Sequence, residues 1–252
     1  MNNTTNGRRY GTLRMIRGLA TERALTEGDR RMGRQPRSEV TRRKIIDSAV
    51  DLINEIGYPA AGLADIIERA ELTKGALYYH FDSKEALATV IIEEAMVLLH
   101  NVFQSARDSE HSAMESLIVG TFTTSDLLAT NRTAQAGTKL LRTFAGFNPT
   151  ARHSYVNFVD QFTSDIKRAE TDGDLRPGAD PADVANTLVA WILGAELMSS
   201  AASDGNDLRE RFARQWRVLM PAIVTADSLD RHLAFMAAAS TRQTNTVEQT
   251  TT

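Results

Sequence analysis

An apolar repeat at helical spacing begins just after Ser38 and leaves this chain little room to be anything but a bundle of helices. Ile45, Ala49, Leu52, Ile53 and Ile56 fall at i, i+4, i+7, i+8 and i+11, one face of a helix. Gly57 follows, in the position past a helix end where glycine takes a left-handed backbone without strain. Pro59 and Gly62 punctuate the connection. Leu63, Ile66, Ile67 and Ala70 then predict a two-turn helix, and Thr73 caps a third that runs through Ala76, Leu77 and Tyr78. Asp82 and Ser83 interrupt it. Ser83 caps a fourth helix, with Leu87, Val90, Ile91, Ala95, Leu98 and Leu99 on its face, expected to end near His100. Two short helices joined by a tight turn behind a longer one make a helix-turn-helix. Further helices are expected at 113–129, 132–145, 150–171, 181–203 and 206–224, with a weaker one at 227–239. Pro181 suits a first helical position after Asp180 as N-cap. No strand alternation and no internal repeat appears, so the fold class is all-α.

Charge divides the chain. Residues 1–84 carry 15 Lys+Arg against 11 Asp+Glu, a balance of +4, whereas residues 85–252 carry 14 against 21, a balance of −7. The first 37 residues alone hold nine Arg and three acids. A basic front facing a polyanion and an acidic body facing water fits this asymmetry. The chain has no cysteine, which excludes disulfides, thiolate metal sites and a cysteine nucleophile and suits a reducing cytoplasm. No apolar run is read as reaching the roughly 18 residues of a membrane helix, and the basic N-terminus lacks the apolar stretch of a secretory signal. A cytoplasmic protein without a membrane partner is expected.

An enzyme finds no support in motifs. GxSxG, HExxH, GxGxxG and P-loop patterns are absent, and the five histidines are scattered. Asp172–Gly173–Asp174 lacks the ligand alternation of a calcium loop and reads as a surface turn. No metal and no cofactor are expected. A pure protein-interaction bundle would explain the long helices but leaves the polar run from Thr73 to Lys84 without a reason.

That run carries a resemblance. Gly57–Tyr58, Asp65–Ile66, Thr73–Lys74–Gly75–Ala76–Leu77–Tyr78–Tyr79–His80–Phe81 and Ser83–Lys84–Glu85 match, in type and spacing, the motif of the TetR family of bacterial repressors. The match spans about thirty residues in the N-terminal quarter. It implies a DNA-binding domain over residues 37–84 and a helical ligand-binding and dimerisation domain over 85–240; by composition, the scattered Arg, Gly and polar residues of 1–36 read as a flexible basic extension and the polar residues 241–252 as a disordered tail. In such a domain the first turn of the recognition helix meets base edges in the major groove. Thr73, Lys74, Gly75 and Ala76 occupy that turn: Lys74 can reach guanine, Ala76 can touch a thymine methyl, and Gly75 lets the backbone come close. The resemblance assigns phosphate contacts to Tyr78, His80 and Lys84, with Arg37, Thr41 and Arg43 beside them. One of Tyr78 and Tyr79 is expected in the core. Two positions depart from the motif. Gly62 stands where Ser or Thr is common, so it caps only through its backbone, and Glu71 stands where a turn glycine is usual, bringing negative charge towards DNA.

Within the family the chain is similar to the γ-butyrolactone autoregulator receptors of actinomycetes, through AAGLADIIERAELTKGALYYHFDSKEALA, TDGDLRPGADPADVAN and LRERFARQWRVLMPAI. The resemblance implies a small inducer of lactone, butenolide or furan type controlling antibiotic genes; the alternative is an efflux or catabolic regulator with another apolar ligand. Tyr155 takes the place of the tryptophan common in that pocket. Tyr155, Phe158 and Phe162 share a helical stripe and, with Trp191, are the candidate pocket wall, with Thr121 and Gln135 as polar candidates. A homodimer on a pseudo-palindromic operator is expected, paired through the helices at 181–203 and 206–224 and an apolar face of Ala185, Leu188, Val189, Ile192 and Leu193 beside Gly194 and Ala195.

Overall fold

The structure, a computed structural model, describes residues 38–241; the basic extension, Arg37 and residues 242–252 lie outside it. The described residues form ten α-helices: α1 over residues 38–60, α2 Leu63–Arg69, α3 Lys74–His80, α4 Lys84–Arg107, α5 Ala113–Thr130, α6 Arg132–Phe144, α7 Pro149–Thr171, α8 Pro181–Ser203, α9 Leu208–Ile223 and α10 Ala226–Thr241. Among these residues the one β-type pairing is an isolated bridge between Leu175 and Val224. The caps fall where the sequence puts them. Thr73 and Ser83 accept from the N–H groups of Ala76 and Ala86, and Asp180 from those of Ala182 and Asp183. Gly57 has φ +79°, and one last turn carries the helical pattern to residue 60.

α4 runs past its expected stop. Leu99, Phe103 and Ala106 continue the buried stripe at i, i+4 and i+7, so the polar Asn101 and Gln104 lie on the outer face and do not end it. Its far end is tied down where Arg107 donates two nitrogens to the buried carboxylate of Asp165 on α7, at 2.7–3.1 Å. Two glycines let neighbours approach α4 closely. A Cβ at Gly137 of α6 would lie 2.1 Å from that of Ala95, and one at Gly120 of α5 would lie 2.3 Å from the Phe103 ring.

Helix α4 joins two cores. One gathers Ile45, Ile46, Ala49 and Ile53 of α1, Ile66 of α2, Leu77 of α3 and Phe81 just after it, Leu87 and Ile91 of the front half of α4, and Leu140, Leu141 and Phe144 of α6. The other gathers Phe103, Met114, Phe122, Phe162, Leu188, Phe212, Trp216 and Met220. The head therefore shares its core with α6 and does not close on itself at Lys84.

Other expectations change. Ile56 is 52% exposed and off the buried face. Thr241 ends α10 and is not part of a tail. α4 and α8 are each long and apolar enough to cross a membrane by length and composition; here both are packed against other helices, α4 on α5, α6 and α7, and α8 on α7 and α9. Asp174 is buried, not on a surface turn. It meets the buried His232 ring at 3.0 Å and the Arg231 guanidinium, and its carbonyl accepts from Thr225 N–H at 2.9 Å, pinning the α7–α8 connection to the α9–α10 turn.

Candidate DNA-reading head and the cavity behind it

In the head, α3 is held by Leu77, fully buried, and by Phe81 after its last turn. Its outer face is open: Lys74, Gly75, Tyr78 and Tyr79 are exposed, with Ala76 and His80 half-buried. Both tyrosines face out, at 44% and 76% exposure, so neither belongs to the core. The α3 backbone is anchored by Leu77 alone among its aromatic and aliphatic residues, and the two phenols are left to project. Lys74 Nζ sits 5.8 Å from the Tyr78 ring centroid, and the Tyr79 and His80 rings meet edge to face. Thr73 Oγ1 is engaged as the cap, accepting from Ala76 N–H at 3.2 Å. Gly75 costs a helix about 1 kcal/mol relative to alanine, yet a Cβ there would meet no atom of the described residues closer than 4.0 Å. Nothing among the described residues asks for a glycine there.

The cations of the head are mostly engaged. Arg43 lies 2.7 Å from both Asp47 and Glu94, which ties α1 to α4. Arg42, absent from the sequence candidates, stacks over the Phe81 ring at 5.4 Å. Lys44 pairs with Glu71 at 3.2 Å. Thr41 is half-buried. Lys84 Nζ donates to the Tyr58 carbonyl at 2.5 Å and lies 4.2 Å from the Tyr58 ring centroid, closing the end of α1; burial pulls its pKa down. Lys84 Nζ also lies 3.4 Å from the Pro59 carbonyl, a second acceptor in this clamp. At the departures from the motif, Gly62 N–H donates to Asp65 Oδ2 at 3.0 Å, and Glu71 has φ +49°, the left-handed backbone that a glycine would adopt freely. By sequence, residues 38–84 hold six Lys+Arg against eight Asp+Glu, so the positive balance of the front of the chain comes from residues 1–37.

In the body, a cavity of about 50 Å³ is walled by Leu99 and Phe103 of α4, Phe158 and Phe162 of α7, Val189, Ile192 and Leu193 of α8, and Phe212 of α9. Thr124, Thr138, Arg142 and Glu196 also border it, but almost all of the surface that faces the cavity is apolar. Arg142 and Glu196 form an ion pair linking α6 to α8, and the buried Thr124 Oγ1 is without a hydrogen-bond partner. Thr138 and Arg142 are one turn apart on α6, but Thr124 and Glu196 come from α5 and α8, so no local motif joins the four.

Of the six expected pocket residues, Phe158 and Phe162 line this cavity. Tyr155 packs instead against the head-side core, where burial raises its pKa against the opposing pull of Arg142. Trp191 lies behind the wall, edge to face with Phe212 and Trp216 and bonded to Gln215. Thr121 is buried and satisfied, accepting from Trp216 Nε1 at 2.9 Å and donating to Ile118 O. Gln135 donates to Leu128 O at 2.7 Å and borders a separate cleft. The expected dimer face also turns inward: Ala185, Leu188 and Ala195 are buried, and Val189, Ile192 and Leu193 wall the cavity. Ala190, Gly194, Leu197, Met198 and Ala201 form the exposed stripe of α8, and Val218 of α9 is exposed as well.

A recognition helix offered to solvent, joined by one long helix to a walled cavity, defines a two-part regulator of transcription. Residues 45–91 match the family described as bacterial regulatory proteins, tetR family, and residues 111–225 match the tetracyclin repressor-like C-terminal domain. The A-factor receptor protein of Streptomyces griseus is 33% identical over 192 residues, 76% of this chain and 67% of that one. A crystal structure of a gamma-butyrolactone receptor (ArpA-like protein) superposes with a TM-score of 0.67 at 27% identity, over 81% of this chain and 98% of that one. The Streptomyces coelicolor protein CprB in complex with its biological operator sequence does so with a TM-score of 0.67 at 28% identity, over 81% and 98%. The chain belongs to the tetR family of bacterial regulatory proteins. It is a DNA-binding repressor similar to gamma-butyrolactone receptors, and the proteins it resembles are regulators, not enzymes.

Proposed function

We propose that this protein represses antibiotic or secondary-metabolite genes as a homodimer in the cytoplasm, and that a small lactone, butenolide or furan-type signal releases it from a pseudo-palindromic operator. One observation carries the reading: Leu87 and Ile91 of α4 sit in the head core while Leu99 and Phe103 of the same helix wall the body cavity. A cavity of about 50 Å³ is small beside the roughly 300 Å³ or more of ordinary ligand sites. A ligand must therefore spread the walls, two of which belong to α4. A ligand shifts the two states only by its differential affinity for them, and moving from 1:99 to 99:1 takes about 5.5 kcal/mol. Apolar burial in both subunits, with an acceptor on Thr124, is of a size to supply it.

At the operator, Lys74 reads bases and Tyr78, His80 and Lys84 hold phosphates, while the Arg-rich residues 1–37 supply charge that the head lacks. The exposed stripe of α8, where Gly194 permits close approach, pairs the protomers. The test is a gel shift on the promoter beside the protein's own gene, with and without extract of the producing culture. Release by extract is expected; tight binding that no extract or lactone reverses contradicts the ligand reading. Light scattering showing a stable monomer at micromolar concentration contradicts the dimer.

A further inference from the structure

Beside the apolar cavity lies a polar cleft of about 250 Å³, lined by Gln135 and Lys139 of α6, Ser200 of α8, Asp204 after it, and Asn54 of α1. It sits on a seam between head and body. Asn54 Nδ2 donates to Arg132 O at 2.9 Å, and Asn54 Oδ1 accepts from Lys139 Nζ at 3.1 Å. Asp51, one turn earlier on α1, pairs with Arg132 at 2.8 Å. These contacts tie α1 to α6 independently of α4.

The charges of the cleft are not all paired. Glu196, at its edge, is engaged by Arg142. Lys139 is half-buried, yet its acceptors are the two neutral oxygens of Asn54, and it makes no ion pair among the described residues. Burial pulls its pKa down, and the nearby Arg142 adds to that pull. A half-buried ammonium in this state lacks a counter-charge, which a small carboxylate would supply through a charge-assisted hydrogen bond. A bare anion would also come near Asp204, an exposed carboxylate with no side-chain partner among the described residues. A cationic group on the same molecule turns Asp204 into a partner. The volume falls just under the roughly 300 Å³ at which ordinary ligand sites begin, so the molecule is compact.

We propose that this cleft is a second effector site, separate from the apolar cavity, and that it takes a free α-amino acid. The carboxylate lies on Lys139 and the Ser200 hydroxyl. The ammonium lies on Asp204 and on Gln135 Oε1, since Gln135 spends its amide N–H on Leu128 O. A carboxylate competing for Lys139 loosens its bond to Asn54 and so frees α1 from α6. The proposal does not depend on what the apolar cavity binds.

The test is calorimetric titration of the full-length protein with each of the standard protein amino acids at millimolar concentration. Binding by at least one is expected, with the matching α-hydroxy acid weaker by about tenfold or more. Lys139→Met is expected to weaken it by about tenfold or more, and Asp204→Asn to erase the preference over the hydroxy acid. Thr124→Val, nearly isosteric and on the apolar cavity, is expected to leave binding unchanged. No binding by any amino acid, or binding indifferent to Lys139→Met, overturns the proposal; loss in Thr124→Val moves the molecule to the apolar cavity and overturns it too. For the effector role, the bound amino acid is expected to lower operator affinity by about fivefold or more in a gel shift. In Asn54→Ala it should still bind but no longer alter operator affinity. Operator affinity unmoved by a bound amino acid would overturn that role, while release by culture extract, measured separately, still decides the repressor reading.

Discussion

The head and the body solve opposite problems with the same helices. The head spends one short helix on display: α3 is anchored by Leu77 and leaves Lys74, Tyr78 and Tyr79 to solvent. The body turns its aromatics inward around a small cavity and leaves Thr124 unsatisfied there. A surface that reads DNA must be formed in advance, because its partner is a rigid duplex. A site for a small molecule can be nearly closed, and in the proposed reading that closure makes occupancy mechanical. Charge shows the same division, since the folded head is net acidic by sequence and depends on residues 1–37 for its positive balance.

Deleting residues 1–35, which hold eight Arg and three acids, is expected to cost the largest share of operator affinity, at least tenfold, and to flatten its salt dependence because fewer counterions are released. An unchanged slope in a salt titration would make that segment a passive tail. Lys74→Ala is expected to relax preference at one base pair, at a cost of about 1–3 kcal/mol, whereas Tyr78→Phe weakens all sequences alike. Equal uniform losses across operator variants would mean that α3 is not the reading helix. Gly137→Ala drives a methyl into Ala95 and is expected to destabilise by about 1–3 kcal/mol, seen in chemical denaturation; a neutral result would show that α4 and α6 can part freely.

Smaller effects sharpen the picture. Glu71→Gly relieves a left-handed backbone at φ +49° and is expected to stabilise by about 1 kcal/mol, while removing negative charge near DNA. A loss of stability would mean that the pair with Lys44 outweighs the strain. Asp207, at the start of α9, accepts from the Ser199 and Ser203 hydroxyls and the Arg211 guanidinium, which hold its pKa down to about 2 from 3.8. Its folded pKa lies below the unfolded value, so its contribution is full above about 3.8 and is lost as pH falls towards 2. The melting-temperature gap between the protein and Asp207→Asn should narrow over that window; a constant gap would contradict the assignment.

The head was legible because its signals are local. Caps at Thr73 and Ser83, the Gly57 break and a contiguous motif act within a few residues of one another. The tyrosines were harder, since a two-turn helix has no periodicity long enough to show that both phenols of Tyr78–Tyr79 fall outside its single buried residue. The body was legible only as helices. Phe158 and Phe162 follow from their stripe, but Arg142, Glu196 and Thr124 meet from three helices with no sequence spacing to join them. Apolar faces on α8 could not be sorted either, because Leu188 and Leu197 look alike until the fold buries one and exposes the other.

In the proposed mechanism α4 carries a change at the cavity into the placement of α3. Its direct test is a pulsed electron resonance distance, within one protomer, between spin labels at Tyr79→Cys on α3 and Ser164→Cys on α7. The distance is taken on operator DNA and again after release by culture extract. A shifted distribution on release is predicted; release with an unchanged α3–α7 distance would contradict the account.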